Sequence, residues 1–455
     1  MRPPRRPQNH AAPARRGAAR ALLLIVIGVL LGLVGERILG RLTRDADGRR
    51  WDEFEQALGL VEQTFVEPRE TDALLDGALR GVASTLDPYS RYYDRSETTR
   101  LERETTGQYD GIGVLFAPTG ERWRVLFPLP DSPAAEAGLG VGDLILSVGD
   151  VSANELDFPS LRERLGDGDA GPVALEVEDR AGERRTVAVT PAQVLDPSVR
   201  RIRMIEHGDL DVGYLSIGSF TRRTAGEFDV VTRELRTRGA DAFVIDLRGN
   251  LGGVLDSALA IADRFVPEGA LLQTESRSGV EISWSTPSET TLRDVPVAVL
   301  IDRDSASASE VLAGALQDHR LGVLVGEPSY GKGTVQTLTR LPELEGVLRV
   351  TTAVYRTPSG RLIERSLGGA WDAGLAPDLE VELDDDRHLA IREYLASFGP
   401  RLEHQIAVRA WQSEVDVQLI RSHPDDPQLD AALELLAGRH PSDLARADDD
   451  SVDEG

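Results

Sequence analysis

Strand-like and helical segments alternate between about residues 212 and 385, and this alternation constrains the fold more than any other feature. Four short apolar runs are strand-like: VGYLSIGSF, AFVIDLRG, VPVAVLID and LGVLVGEP. Three amphipathic runs among them are helical: TAGEFDVVTRELRTRG, VLDSALAIADRFV and SASEVLAGALQDH. Strands that alternate with helices form a largely parallel sheet that is buried on both faces. The sequence therefore predicts an α/β core, with LRVTTAVYRTPSG as an added edge strand.

The composition excludes several kinds of site. The 455 residues are enough for two or three domains, and the formal net charge of −25 argues against a nucleic-acid partner, because phosphate binding needs a basic face. The chain contains no cysteine, so neither a disulfide nor a thiol nucleophile is available. Its seven histidines show no metal-ligand spacing. We therefore expect neither a nucleic-acid site nor a metal site.

The N-terminus predicts a membrane anchor. Residues 1–20 contain arginines and no acid, and residues 21–39 begin with the uncharged run ALLLIVIGVLLGLVG. Arg20 and Arg37 flank this run and can extend it by snorkelling. No small-x-small cleavage site stands out after it, which favours an uncleaved signal anchor; a cleaved signal peptide is the alternative. The arginines before the run place the N-terminus in the cytosol and the body of the protein outside.

Ser307 is a candidate nucleophile. It lies in DSASASEV, between the strand VPVAVLID and the following helical run. In an open α/β sheet, ligands gather at the carboxyl ends of the strands, and the free amides of a helix N-terminus favour developing negative charge. The alternative is purely structural, because Ser307 and Glu310 also form an S-x-x-E capping box.

A second strand-to-helix turn, in FVIDLRGNLGGVLD, completes this candidate site. Its glycines Gly252 and Gly253 allow the backbone to approach another group closely. If the two turns lie side by side, the amides of Gly253 and Ala308 can form an oxyanion hole.

A serine nucleophile needs a base, and the candidate is Lys332 in EPSYGKGTVQ. No histidine follows the pattern of a Ser-His-Asp triad. Lys332 is the only lysine in the chain. Arginine cannot be deprotonated in a protein, whereas a buried lysine can lose its proton and act as a base. The alternative is a chance lysine in a flexible loop.

The run DSASASEVLAGALQDHRLGVLVGEPSYGKGTVQ closely resembles the carboxy-terminal processing peptidases, the tail-specific serine-lysine proteases. LRGNLGG, TPSGRLIE and GLAPDLEV match the family in the same order, and the resemblance covers residues 50–385. It implies a ClpP/crotonase-like βα core and no metal or cofactor. It assigns Ser307 as nucleophile, Lys332 as general base, and Gln336 as the side chain that orients the lysine amine. The oxyanion amides fall again at Gly253 and Ala308.

The same resemblance gives the serines and the aspartate around Ser307 structural roles. Ser305 and Ser309 are expected to shape the turn and the start of the helix. Asp318, eleven residues after Ser307, matches a position important in some family members, but we expect a structural role for it.

Residues 101–195 resemble the PDZ domain that the family carries before its catalytic core. Gly111, Ile112 and Gly113 in YDGIGV match the carboxylate-binding loop, and SPAAEAGLGVGDLILSVGD matches a second PDZ signature. A PDZ domain holds a C-terminal carboxylate with loop amides and pairs the tail as an added strand. We therefore expect protein or peptide substrates with free apolar C-termini; a plain β-turn is the alternative for GIG. Arg180 in EDRAG matches a gating arginine of some members, and a surface charge in a turn is its alternative.

These observations predict a serine endopeptidase anchored by one span in a bacterial inner membrane, with its catalytic body in the periplasm. It would bind the free C-termini of envelope proteins and cleave C-terminal segments. A catalytically silent PDZ scaffold and a non-peptidase ligand-binding protein on the related core fold are the alternatives. Residues 386–424 are an insertion, and homo-oligomerisation, capping of the active site and adaptor binding are the alternatives for its role. The predicted segments are a basic leader 1–20, an anchor 21–39, an N-terminal helical region 40–100, a PDZ domain 101–195, a peptidase core 196–385, a C-terminal helical region 386–440 and an acidic disordered tail 441–455.

Overall fold

The computed structural model describes residues 48, 50–120, 122–129, 131–166, 171–285, 291–365, 374–396 and 424–438. The chain divides into two compact units, residues 1–82 and 83–455. The described residues of the first unit include two helices, α1 over residues 50–64 and α2 over Thr71–Ser84, whose last two residues belong to the second unit. None of the described helices is long and apolar enough to cross a bilayer. The predicted anchor 21–39 lies outside the described residues.

The second unit contains the remaining elements. Its first half comprises β1 Arg91–Tyr93, α3 Arg95–Thr106, β2 Gln108–Gly111, β3 Val114–Thr119, β4 Arg122–Pro128, α4 Pro133–Glu136, β5 Leu144–Val148, β6 Val151–Ser152, α5 Phe158–Gly166, β7 Val173–Glu178, β8 Arg184–Val189 and β9 Ala192–Leu195. Its second half comprises β10 Val199–His207, β11 Leu210–Ile217, α6 Thr224–Thr237, β12 Ala242–Asp246, α7 Leu255–Asp263, β13 Ala270–Ser276, β14 Gly279–Trp284, β15 Val297–Ile301, α8 Ala308–Asp318, β16 Val323–Gly326, β17 Thr334–Leu341, β18 Gly346–Arg356, β19 Leu379–Glu380, α9 Asp385–Ala396 and α10 Pro427–Leu436.

The core sheet has six strands in the order β10-β11-β12-β15-β16-β19. All its pairs from β11 onward are parallel, and only β10 pairs antiparallel. Strands β12 and β15 are buried along their whole length, as expected for a sheet covered on both faces. The α/β class predicted from the alternating pattern is therefore confirmed.

Helices cover both faces of this sheet. Phe243 and Ile245 of β12 belong to the apolar cluster that includes residues of α6, α7 and α8, whereas Val244 belongs to a second cluster with α10. Two buried ion pairs also hold α10. The Arg248 guanidinium contacts Asp246 at 2.6 Å and Asp426, the residue that caps the start of α10, at 2.7 Å. Helix α10 is thus part of the core.

A second, antiparallel sheet packs beside the core sheet. Its strand order is β1-β18-β13-β14, and β17 pairs with the other side of β18. The prediction that LRVTTAVYRTPSG is an edge strand was wrong, because β18 pairs with β1, β13 and β17. Its residues are only partly apolar, so the sequence pattern did not distinguish a central strand from an edge.

Residues 112–189 form a separate small sheet with its own apolar core. The order is β3-β4-β5-β7-β8, with β6 paired to β5, and α4 and α5 contribute Ala134, Leu161 and Leu165 to the core. The chain enters and leaves this subdomain through β2 and β9, which pair with each other. Within the described residues, β3 pairs only with β4, so its other edge is open.

Candidate active site

The two strand-to-helix turns singled out in the sequence lie side by side. One follows β15 and leads into α8; the other follows β12 and leads into α7. The Ser305 hydroxyl donates to the Leu247 carbonyl at 2.9 Å, and the Ser309 hydroxyl donates to the Asn250 carbonyl at 2.9 Å. Both serines are fully buried, so their hydroxyls join the turns, as expected for structural rather than reactive serines.

Ser307 occupies a strained position between them. Its backbone has φ 59° and ψ −116°, a positive φ that is uncommon for a residue with a side chain and costs about 1–3 kcal/mol. Gly252 crosses directly behind it: a Cβ at this glycine would lie 2.8 Å from the Ser307 Cβ. The turn therefore requires a glycine, and it directs Ser307 into a cavity of about 850 Å³.

Glu310 joins the serine turn to the lysine loop. Its buried carboxylate accepts hydrogen bonds from the amides of Ser307 at 2.7 Å, Gly331 at 2.7 Å and Lys332 at 2.9 Å. A fourth comes from the Ser329 hydroxyl at 2.6 Å. Burial raises the pKa of Glu310, and these hydrogen bonds oppose the increase. The S-x-x-E spacing predicted only the contact with Ser307; the three contacts to the lysine loop come from the tertiary structure.

Lys332 lines the same cavity as Ser307. Its Nζ lies 4.9 Å from the centroid of the Tyr89 ring, and its carbonyl accepts a hydrogen bond from the Tyr355 hydroxyl. Burial, and next the positive charge of Arg349, lower the pKa of Lys332 below its usual 10.5. A lowered pKa is what a lysine needs if it is to be neutral and act as a base.

Ser307 and Lys332 are not directly hydrogen-bonded to each other in the part of the chain that the structure describes. Tyr355 also lines the cavity. Burial raises the pKa of Tyr355 well above 10, so this phenol remains protonated. Sequence analysis did not select Tyr355, because one tyrosine in a strand carries no motif by itself.

The predicted oxyanion donors lie at the ends of the two turns. Gly253 has φ 140°, and a Cβ there would lie 2.1 Å from the Phe220 carbonyl oxygen. Two backbone hydrogen bonds fix its neighbours: the Phe220 amide donates to the Gly252 carbonyl at 2.9 Å, and the Val254 amide donates to the Phe220 carbonyl at 2.7 Å. The Gly253 amide has no acceptor among the described residues, and Gly253 lines the cavity. Ala308 is the first residue of α8, so its amide is one of the free amides of the helix N-terminus.

Gln336 lines the cavity, and among the described residues it is not hydrogen-bonded to Lys332. Its side-chain amide donates to the Thr334 hydroxyl at 2.9 Å. Gln336 also lies at an irregularity in the pairing of β17 with β18. The orienting role implied for Gln336 therefore stays a prediction.

Comparisons with known proteins identify the family. The model of peptidase family S41 matches residues 211–381, and the model of the activating protease CtpB N-terminal domain matches residues 40–98. A carboxy-terminal-processing protease of Bartonella bacilliformis is 32% identical over 330 residues, which cover 71% of this chain and 73% of that protein. The chain belongs to the carboxy-terminal processing proteases. It is a serine-type endopeptidase of peptidase family S41.

Other similar proteins carry related names. The carboxy-terminal processing protease CtpB of Bacillus subtilis is 30% identical, with coverage of 75% of this chain and 71% of that protein. Among solved structures, a photosystem II D1 C-terminal processing protease matches with a TM-score of 0.43 at 26% identity, covering 76% of this chain and 96% of that chain.

The remaining predicted residues of this protease lie away from the cavity. Gly111 ends β2, and Ile112 and Gly113 connect it to β3; Gly113 has φ 72°. A Cβ at Gly113 would lie 2.3 Å from the Ser132 Cβ, so the loop requires a glycine. Arg180 is exposed in the turn between β7 and β8 and does not line the cavity.

Asp318 of the protease has a structural role, as expected. Its carboxylate accepts from the Ser359 amide at 2.8 Å and pairs with Arg361, so it holds the TPSG turn against the end of α8. Burial acts to raise the pKa of Asp318, but Thr357, then Ser359, and last the charge of Arg361 lower it overall.

Asp302, Asp304 and His388 are close enough together to hold a cation. The Asp302 carboxylate, however, already accepts from the amides of Gly249 at 3.0 Å and Asp304 at 3.0 Å. Arg392 lies 3.5 Å from Asp304. These contacts account for the cluster as part of the turn before Ser307.

Proposed function

We propose that the protease cleaves peptide bonds with Ser307 as nucleophile and Lys332 as general base. The observation that carries this assignment is the Glu310 carboxylate, which binds the Ser307 and Lys332 amides at 2.7 and 2.9 Å. A single buried anion thereby fixes the two loops at one cavity. The lowered pKa of Lys332 supports the same assignment.

The proposed reaction follows from general chemistry. The neutral Lys332 amine takes the proton of Ser307, whose oxygen attacks the scissile carbonyl carbon. The amides of Gly253 and Ala308 bind the oxyanion, each stabilising the transition state by roughly 3 kcal/mol. Lys332 then protonates the leaving amine, and water hydrolyses the acyl-enzyme with Lys332 again as base. For this reaction the lysine amine leaves the Tyr89 ring and Gln336 leaves Thr334, so the arrangement described above is a resting one.

We further propose that the small subdomain is a PDZ domain that binds the free C-terminus of the substrate. The open edge of β3 supports this, because a peptide strand can pair with it. Within the described residues the amides of Ile112 and Gly113 have no acceptor, so they are available to a terminal carboxylate. Arg180 is proposed, from the resemblance alone, as a gating residue.

We propose an envelope location, with residues 21–39 as a single inner-membrane anchor and the catalytic body in the periplasm. The uncharged run between Arg20 and Arg37 supports this proposal. The substrates would then be envelope proteins, and residues 386–424 would offer the surface for a second copy or an adaptor.

Variants of the two reacting residues test the proposed site. Ser307→Ala and Lys332→Arg should each abolish cleavage of a peptide with a free apolar C-terminus, and the lysine variant is the sharper one because arginine keeps the charge but cannot act as a base. Ser278→Ala, in an exposed turn, is the control and should keep wild-type activity. Substantial turnover by Lys332→Arg would refute the assigned base.

The PDZ proposal has its own test. Amidation removes the terminal carboxylate of the peptide and should raise KM with a smaller effect on kcat, because binding rather than chemistry is affected. Equal cleavage of the acid and the amide would count against carboxylate recognition. Ser307→Ala should bind the acid peptide more tightly than the amide.

A further inference from the structure

The segment Leu86–Asp94, LDPYSRYYD, has no role in the proposed reaction, yet its Tyr89 lies against the catalytic lysine. The Lys332 Nζ is 4.9 Å from the centroid of the Tyr89 ring. A cation within about 6 Å of an aromatic centroid is attracted by the negative ring face. Over the described part of the chain, no carboxylate lies within salt-bridge distance of this amine. The ring therefore attracts the amine directly.

The Tyr89 backbone is fixed by hydrogen bonds. The Asp87 carboxylate accepts from the amides of Tyr89 at 2.8 Å and Ser90 at 2.9 Å, and from the Ser90 hydroxyl at 2.7 Å. Arg349 donates from Nε to the Tyr89 carbonyl at 2.9 Å. Thr351 donates from its amide to the Ser90 hydroxyl at 3.1 Å. These bonds hold the ring in place before any substrate binds.

The Tyr89 ring also stays neutral. Burial, and next the neighbouring Tyr330, raise the pKa of Tyr89 to about 12. At lower pH values the ring is thus an uncharged phenol. A neutral ring attracts an ammonium ion and has little attraction for a neutral amine.

Other charged groups around Lys332 either raise or lower its pKa. Arg349 on β18 disfavours the ammonium form, whereas Glu310 on α8 and Glu364 favour it. Tyr355, whose hydroxyl binds the Lys332 carbonyl, is protonated and carries no charge. Tyr89 adds an attraction that acts on the protonated amine and weakens once the proton leaves.

We propose that Tyr89 is a positioning residue that holds the protonated Lys332 amine away from Ser307 and releases the neutral amine to it. The ring then controls how much of the lysine is available as a base at a given pH. This inference rests on the proposed role of Lys332, but its test includes a signal that does not depend on activity.

The single lysine makes that test direct. In the full chain, lysine labelled with ¹³C at Cε yields one side-chain signal, that of Lys332. Tyr89→Leu should remove the upfield ring-current shift of this signal and lower the titration midpoint of Lys332 by about 0.4–1.5 pH units, the range that corresponds to a cation–π contact. Tyr89→Phe keeps the ring and should retain most of both effects.

A matched control tests whether the effect is local. Tyr394 lies under Arg201 with 4.0 Å from the guanidinium carbon to the ring centroid, so Tyr394→Leu removes a similar contact elsewhere. It should leave the Lys332 signal unchanged. If Tyr89→Leu fails to fold, trifluorophenylalanine at position 89 preserves the ring shape, weakens its negative face and should also lower the midpoint.

The pH dependence of kcat/KM links this contact to catalysis. The rise of kcat/KM with pH should move to lower pH in Tyr89→Leu by the same amount as the titration of Lys332. An unchanged or raised midpoint in Tyr89→Leu, with Lys332→Arg inactive, would overturn the role of Tyr89 alone. An active Lys332→Arg would instead refute the proposed base, whatever the NMR signal shows.

Discussion

Replacing Glu310 by glutamine tests how the active site is held together. The carboxylate accepts two hydrogen bonds on each oxygen: Gly331 and Ser329 on Oε1, Ser307 and Lys332 on Oε2. Glutamine has the same shape but only one accepting oxygen. Its NH2 group must face one of these two pairs of donors.

The magnitude follows from those contacts. Suppose that the glutamine oxygen accepts the hydrogen bonds from the Ser307 and Lys332 amides. The glutamine NH2 group can then donate to the Ser329 hydroxyl, but the Gly331 amide faces this NH2 group and has no acceptor. One buried amide without a partner costs about 1–3 kcal/mol, and the loss of charge weakens the other bonds further. Burial raises the pKa of Glu310, so removing its charge recovers part of this cost. We expect a net loss of about 2 kcal/mol in the free energy of unfolding.

Activity should fall more than stability. Displacing the serine and lysine loops by about 1 Å relative to each other can reduce kcat roughly 100-fold, while substrate binding elsewhere keeps KM near its wild-type value. Urea unfolding measures the first effect and steady-state cleavage of a free-acid peptide measures the second. Glu327→Gln is the control for the loss of one partly buried carboxylate. Glu327 accepts an amide hydrogen bond from Leu383 at 3.2 Å and pairs with Arg303 at 3.4 Å, and it does not line the cavity. If Glu310→Gln kept wild-type kcat and stability, Glu310 would not join the two loops.

Three further outcomes are expected. Gly253→Ala should lower kcat by about 10–1000-fold, measured by single-turnover cleavage, because the new Cβ would meet the Phe220 carbonyl at 2.1 Å and displace the oxyanion amide; an unchanged kcat would remove Gly253 from the oxyanion hole. Asp426→Asn should lower the unfolding free energy by about 3 kcal/mol, because the buried Arg248 loses one of its two anions; a loss under about 0.5 kcal/mol would show that α10 is not held by this pair. The cleavage rate should rise with pH as Lys332 deprotonates below 10.5. The folded protein loses the Lys332 proton at a lower pH than the unfolded chain does. The unfolding free energy of the wild-type protein should therefore rise, relative to that of Lys332→Met, as the pH approaches 10.5. Equal pH dependence of the two proteins would contradict a lowered pKa.

The sequence alone predicted the α/β core and selected Ser307, Lys332 and Gly253. The reason is that these signals are local. Strand and helix periods, the glycine pair after a strand and a serine before a helix are each contained in a short window. The single lysine added a chemical argument that needed no structure, because only lysine among the basic side chains here can lose its proton.

Only the tertiary structure decided how these local pieces meet. Tyr89 precedes Lys332 by more than two hundred residues, and the contact exists because β1 pairs with β18, which also pairs with β17 just after the lysine loop. Tyr355, whose hydroxyl donates to the Lys332 carbonyl, has no motif of its own, and β18 was wrongly predicted as an edge. Long-range pairing and burial depend on which surfaces pack together, and a single strand's pattern does not contain that information. The sequence therefore determined which groups are candidates for the reaction, and the packing of the two sheets determined which side chains contact them.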